Sequence, residues 1–538
     1  MTTNNIKFTS IQIHNISNIV PTTIVPSLGN AMFGILQIEA NEVPLIKDPI
    51  FIVFNVDMSG SMSDRGKDGK TRMHHVQSTF ENMIRFIASQ DINVNICVEG
   101  FDDIIENIIT PSYVTKHNVD ELVAKVKTIT PRNGTNIGLA LQNASNKIKA
   151  YKKENPTHKI FHVLLTDGAA TIGEMNPQRL SNEISKECVN IFLGIGSGHN
   201  TVMMQLFGNR KNAEYRFIDN GDNAGMVYGE ILQRILRPAI EDVKIEMHNG
   251  EIYDWKTSSW KTTVFEDVID SETTKTYHIR TTSPDNVEAL IYGRISGEES
   301  DQFIRELDIG IPMPTLLSED GTIVSDICDL TKYLYRQQTL EFLHSCSNFP
   351  VDDYGAFYDT KLEIRTKMAD FFRSMRIYMR KNNIMHDSFM RTLCDDIVVA
   401  YRTVGTHSAN MHCTSRNQSQ GAQRSCTTQC DDDIVQTPPR MQRQNACSNI
   451  NTSTIFDNDI DFDNIPTTVF TQRQIPLLNI NTSMIFENDI NDDDTSSVVI
   501  DEDDIQKYIS VNVNNNFETS AYITPGRLQM MRAVSGRH

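Results

Sequence analysis

Long apolar runs are missing from this chain: none approaches the roughly 18 consecutive apolar residues that a membrane-spanning helix requires. The start, MTTNNIKFTS, has no basic stretch followed by an apolar core, so neither secretion nor membrane insertion is expected. Positive charge is also short. There are 50 Lys and Arg against 69 Asp and Glu, a net charge of -19, and this excludes a general nucleic-acid binder, since phosphate contacts need basic residues in excess on one face. Cysteine is sparse and odd in number: Cys97, Cys188, Cys328, Cys346, Cys394, Cys413, Cys426, Cys430 and Cys447 are scattered without the spacing of a disulfide framework. A reducing, cytoplasmic compartment is therefore expected, or a virion if the source is viral.

What is present starts at Phe51 to Ser63, FIVFNVDMSGSMS. An apolar run from Phe51 to Val56, interrupted only by Asn55, leads into Asp57, Ser59 and Ser61, and a helical pattern opens about ten residues later. The run reads as a buried strand that delivers three oxygen side chains to a sheet edge. Carboxylate and hydroxyl oxygens at alternate positions of one tight turn suit a hard divalent cation such as Mg2+ or Mn2+. A short Asp/Ser turn by itself more often caps a helix. Two further pieces accompany this one: Thr135 in PRNGTNIG, ahead of a helical pattern, and Asp167 in HVLLTDGAAT, at the carboxyl end of a second apolar strand.

Together the three segments match the metal-ion-dependent adhesion site (MIDAS) of the von Willebrand factor A (VWA) domain. Pro49 to Leu236, with FLGIGSGHN (Phe192 to Asn200) and the closing helix GMVYGEILQRIL, resembles that family. The resemblance implies a Rossmann-like α/β domain, a bound Mg2+ or Mn2+ as the cofactor, and Asp57, Ser59, Ser61, Thr135 and Asp167 as its ligands. Two carboxylates balance a divalent charge and hydroxyls add none, which leaves the ion electrophilic. The implied partner is a protein that presents an Asp or Glu.

At 538 residues the chain is long enough for roughly three domains of about 150 residues each. Residues 1–48 hold alternating stretches at Ile6 to Ile16 and Met32 to Glu39, strands in need of a partner sheet. Over 49–237 strands and helices alternate: a helix at Met73 to Ser89, strands at Val94 to Phe101 and Ile104 to Ile109, helices at Val119 to Thr128 and Ile137 to Lys153, and strands at Ile160 to Thr166 and Val189 to Gly194. This predicts a mostly parallel sheet with helices on both faces and ligands beyond the strand ends. Residues 238–328 read as an antiparallel unit, with strands at Val243 to Met247, Tyr277 to Ile279, Ala289 to Ile291 and Phe303 to Ile309. We expect it to form one β-sandwich with 1–48, the α/β domain being inserted between them.

A small helical unit is expected over 329–405. Ile364, Met368, Phe371, Phe372, Met375 and Met379 form one apolar stripe, with Arg365, Lys367, Arg373, Arg376, Arg380 and Lys381 on the other faces. This reads as a core-facing helix with a solvated basic side; the sharper alternative is a dock for an acidic tail. Residues 406–538 are rich in Ser, Thr, Asn, Gln and Asp and are expected to be a disordered tail. They contain a 30-residue repeat, QRQNACSNINTSTIFDNDIDFD from Gln442 and QRQIPLLNINTSMIFENDINDD from Gln472, and an acidic run from Glu487 to Asp504. The order of the units also resembles intracellular VWA proteins found with RING, U-box or Hint modules, and the Asn/Ile/Asp-rich composition points to an AT-rich genome, a protist or a large DNA virus.

Enzymatic readings fare poorly. No His or Glu in the motif segments is spaced as a hydrolytic base. His74 and His75 read as a polar first helical turn, and His162 as a core histidine. Gly196-Ser197-Gly198 fails the nucleophile-elbow pattern, and His199 stands where a dinucleotide fingerprint needs its third glycine. Gly69-Lys70-Thr71 imitates the end of a P-loop but has Asp64 where a glycine is required. His407, His412, Cys413, Cys426, Cys430 and Cys447 lack zinc-finger spacing and read as free side chains. The sequons at Asn133, Asn143, Asn451 and Asn481 read as unused. The expectation is a non-enzymatic scaffold that binds an acidic partner through Mg2+. The alternatives are an accessory subunit of a ubiquitin-transfer complex, or a domain held closed in cis by tail acids such as Asp457, Asp459, Glu487 or Asp489.

Overall fold

The structure is a computed structural model that describes residues 6–424 and 520–536, apart from 16–19, 67, 91, 197, 219–223, 297–304, 308–315, 318–322, 325–327, 352–355 and 521. The repeat, the acidic run, Cys426, Cys430 and Cys447, the tail sequons, Ser197, and Phe303 and Ile309 of the expected last strand lie outside the described residues.

Strands β1 (Ile6–Ile13) and β2 (Met32–Ala40), with the one-turn helix α1 (Pro21–Ile24) between them, precede the α/β unit. That unit runs β3 (Ile50–Asp57), α2 (Arg72–Ser89), β4 (Val94–Phe101), β5 (Ile105–Tyr113), α3 (Val119–Val126), α4 (Ile137–Glu154), β6 (Lys159–Thr166), α5 (Pro177–Asn182), β7 (Val189–Ile195), α6 (Thr201–Gly208), β8 (Ala213–Ile218) and α7 (Ala224–Leu236). Its six strands lie in the order β5-β4-β3-β6-β7-β8, all parallel except β5. Every residue of β3 is buried, as a central strand with helices on both faces requires. Met73, Val76, Phe80, Met83, Ile84 and Ile87 place one face of α2 on this sheet at helical spacing. The Thr71 hydroxyl caps α2 by accepting from His74 N at 3.0 Å, so the apparent P-loop ending is a helix N-cap.

The β-sandwich follows: β9 (Pro238–His248), β10 (Glu251–Asp254), β11 (Ser259–Lys261), β12 (Thr263–Asp270), β13 (Thr274–Thr281), β14 (Glu288–Ile295) and β15 (Arg305–Leu307), then the short pair β16 (Leu316–Leu317) and β17 (Ile323–Val324). One sheet is β1-β2-β13-β10-β11 and the other β12-β9-β14-β15. β2 pairs antiparallel with β13, Leu36 opposite Tyr277 and Gly34 opposite Ile279, so strands from before and after the α/β unit share one sheet. Leu36, Ile38, Val243, Ile245, Ile252, Ile269, Ile279 and Ile291 fill the space between the sheets. The chain enters and leaves the α/β unit side by side, Ile46 N donating to Leu236 O at 2.8 Å.

Helices α8 (Thr331–Ser347), α9 (Tyr358–Lys381), α10 (Ser388–Thr403) and α11 (His407–Ala422) follow, and α12 (Pro525–Ser535) comes after the long undescribed stretch. Met368, Phe371, Met375 and Met379 of the α9 stripe are buried. The opposite side is not uniformly solvated. Arg376 is buried, and Arg365 donates to the carbonyls of Tyr401 and Arg402 at 3.1 and 3.3 Å, capping the end of α10.

Two segments expected to be disordered tail are helices instead. In α11 most of the buried side chains are polar, and two of them are tied to α10: Arg416 Nη1 and Gln420 Nε2 each donate to Asp396 at 2.7 Å. α12 packs on α7 and α2 through Met530, Met531 and Val534. A helix stabilised by buried hydrogen bonds shows little apolar periodicity, which is why composition pointed to a tail.

Candidate functional site

Five oxygen-bearing side chains meet at the carboxyl ends of β3 and β6, where an open α/β sheet places its ligands. Asp57 ends β3 and is fully buried. Its Oδ1 accepts from Ser59 N at 2.8 Å and its Oδ2 from Thr166 Oγ1 at 2.6 Å. Burial pushes the Asp57 carboxyl up to about 6, against the pull of the Thr166 hydroxyl and the Ser59 amide, and nearby Asp167 pushes the same way as burial. This carboxylate is held as an anchor of the turn, both oxygens engaged by neighbours.

The next two oxygens follow from that turn. Ser59 Oγ lies 3.0 Å from Ser61 Oγ. Ser61 Oγ donates to Asp167 Oδ1 at 2.7 Å and Ser59 Oγ to the same oxygen at 3.5 Å. The loop carrying Thr135 is stitched to the β3 turn by Arg132 N to Met58 O at 2.7 Å and Gly60 N to Asn133 O at 3.0 Å. Thr135 N donates to Thr171 Oγ1 at 2.8 Å, and its carbonyl accepts from Thr171 N at 2.9 Å. A Cβ added to Gly168 would stand 3.7 Å from Thr135 Oγ1 and 3.9 Å from Ser61 Oγ, so both hydroxyls border the small space a glycine leaves beside Asp167. All five residues predicted from sequence are therefore brought to one place.

Sequence reasoning missed three participants. Thr166 holds Asp57. Asp102, fully buried, accepts from Arg132 Nε at 2.7 Å and from Asn133 Nδ2 at 3.4 Å, and so positions the Thr135 loop. Arg72, the first residue of α2, donates from Nη1 to Asp167 Oδ2 at 2.7 Å. No spacing rule marks these, because each acts through a side chain or loop carried by a different part of the chain.

The oxygen set fits a hard divalent ion by its chemistry: two carboxylates and three hydroxyls, without nitrogen or sulfur. Among the described residues no three His, Cys, Asp or Glu side chains gather as a metal cluster, so a cation here would depend on the hydroxyls. His162, at Asn55 Oδ1 2.9 Å and Asn190 Oδ1 3.1 Å, is the core histidine expected.

A family model described as von Willebrand factor type A domain matches residues 52–169. The chain carries a VWA-fold domain. Inter-alpha-trypsin inhibitor heavy chain H3 of Rattus norvegicus is 25% identical over 309 residues, which is 54% of this chain and 32% of that protein. Heavy chain H4 of Sus scrofa is 22% identical over 308 residues, 56% of this chain and 32% of its own length. The chain thus spans about a third of the length of the curated relatives it matches. Among solved structures, the ArnB paralog VWA2 from Sulfolobus acidocaldarius aligns at 14% identity and a TM-score of 0.43, covering 77% of this chain and 98% of that one. VWA domains often carry a Mg2+ site, and as a family they are non-catalytic scaffolds for protein–protein contacts.

The cytoplasmic location expected from the cysteines is corrected by these relatives, which are secreted, extracellular proteins. The physical reason lies in burial. Of the free cysteines among the described residues, Cys97, Cys188, Cys346, Cys394 and Cys413 are buried, and thiols packed as small hydrophobes in a core report packing, not redox compartment. No helix among the described residues is long and apolar enough to cross a membrane.

Proposed function

We propose that the VWA-fold domain binds a partner protein through a divalent cation, Mg2+ or Mn2+, held by Asp57, Ser59, Ser61, Thr135 and Asp167. The observation that carries this reading is the convergence of the Ser59 and Ser61 hydroxyls on Asp167 Oδ1, with Thr135 Oγ1 facing the same space. A cation bound there would supply a Lewis-acidic position for one carboxylate oxygen of a partner Asp or Glu. The chain's own part is preorganisation. Thr166 and the Ser59 amide fix Asp57, the Asp102–Arg132 pair fixes the Thr135 loop, and burial of the carboxylates lowers the local dielectric so that charge–charge attraction is felt strongly.

The test is direct binding of Mn2+ to the full chain, followed by electron paramagnetic resonance, together with partner capture in Mg2+ and in EDTA. Asp57→Ala is expected to reduce Mn2+ affinity by a factor of at least about 100, which is about 3 kcal/mol, and to abolish capture. Unchanged capture in excess EDTA would overturn the proposal.

A further inference from the structure

Arg72 occupies a position that helix energetics disfavour. It is the first residue of α2, where the positive end of the helix dipole repels a cation. Its side chain turns away from solvent into the candidate site: Nη1 lies 2.7 Å from Asp167 Oδ2, 3.4 Å from Asp64 Oδ2 and 3.4 Å from Ser61 O. Asp167 is wholly buried, whereas Asp64 is 63% exposed, so the pairing with Asp167 is the one that resists screening. The end of β7 makes room for it. Gly196, at φ +64°, would place a Cβ 3.0 Å from Arg72 Nη2 and 3.3 Å from Cζ, and a side chain there would crowd the guanidinium out.

Resting on the function proposed above, we infer that Arg72 is a resident cation of this site that competes with the divalent ion for Asp167 and turns the loaded site net positive toward an anionic partner. The charges decide the sign. Asp57 and Asp167 alone would cancel a divalent ion and leave a neutral surface. With Arg72 the site carries one net negative charge before an ion enters and one net positive charge after. The guanidinium thus weakens cation binding by engaging Asp167 Oδ2, and it strengthens recognition of a carboxylate through its remaining N–H donors, which suit planar oxyanions. The ligand class is accordingly an acidic side chain or a C-terminal carboxylate, and not a neutral hydroxyl or carbonyl donor.

The experiment is Mn2+ titration of the full chain by electron paramagnetic resonance, alone and with acetate as the simplest carboxylate probe, for wild type, Arg72→Gln, Arg72→Lys and Asp64→Asn, with circular dichroism to verify folding. Arg72→Gln is expected to bind Mn2+ about tenfold more tightly and to lose the severalfold tightening that acetate confers on the wild type, a mutual enhancement required by linkage. Arg72→Lys, which keeps the charge but not the planar fork, restores most of the competition with Mn2+ and only part of the acetate effect. Asp64→Asn stays within about twofold of wild type, because the exposed pair contributes little. A merely structural arginine would shift both readouts the same way. Arg72→Gln that binds Mn2+ no more tightly, or that keeps the acetate effect in full, overturns the inference and leaves the metal-binding reading standing. Folded wild type and Arg72→Gln that both fail to bind Mn2+ would overturn that reading and this inference with it.

Discussion

At the scale of single residues, the buried histidines separate structure from function. His199 Nδ1 donates to Gly196 O at 2.7 Å and its Nε2 lies 2.6 Å from the Tyr215 hydroxyl, which can donate to the neutral ring. Burial holds this imidazole down at about 4, with the Gly196 carbonyl opposing. The folded state therefore prefers the neutral ring, and the unfolded chain takes up more protons between about pH 6.5 and 4. Stability contributed by His199 is complete above pH 6.5 and is lost on acidification through that window, by about 3 kcal/mol at about 1.4 per pKa unit. Urea unfolding at pH 7 and at pH 4.5 checks this: His199→Gln should be less stable at pH 7, yet its fall between the two should be smaller than the wild type's by roughly that amount. The five site residues were legible because each stands at the end of an apolar strand or at the mouth of a helix. Arg72 and Thr166 were not, since their roles depend on contacts with side chains about a hundred residues away in sequence.

Among elements, α12 is one that composition concealed. It lies along α7 where Gly225 and Gly229 let two backbones approach closely: a Cβ at Gly229 would come 2.5 Å from Met531 Cα, and one at Gly225 2.6 Å from Ser535 Cα. Gly229→Ala should push α12 off this face, destabilise the fold by about 1–3 kcal/mol and remove hydrogen-exchange protection from residues 525–535; retained protection would show that the contact is dispensable. The elements read correctly from sequence, such as β3, α2 and β6, have strong apolar period or continuous burial. β8 was missed because its buried strand carries Glu214 and Arg216, charges that break the pattern while pairing at 3.0 Å. α11 escaped for the same reason: hydrogen bonds do there what apolar contacts do elsewhere.

On the scale of the whole molecule, those buried charges join the units. Glu214 receives Arg216, Arg234 and Arg424 at 3.0, 3.1 and 3.1 Å, while Arg527 of α12 reaches Asp270 in the sandwich at 3.0 Å. Burial alone would raise the Glu214 carboxyl; the three guanidinium groups hold it well below the usual carboxylate range. Glu214→Gln leaves them short of a counter-charge, and a loss of about 3–5 kcal/mol is expected. It should appear in calorimetry as a broadened or split transition as the α/β unit separates from its neighbours; a single sharp transition at the wild-type temperature would argue that the network is redundant. The paired entry and exit at Ile46 and Leu236 have a different consequence. A module whose two ends emerge as neighbours is a cassette: a short bridge in its place would let the strands on either side still find each other. Evolution could exchange the recognition head while keeping the platform, and so can an engineer.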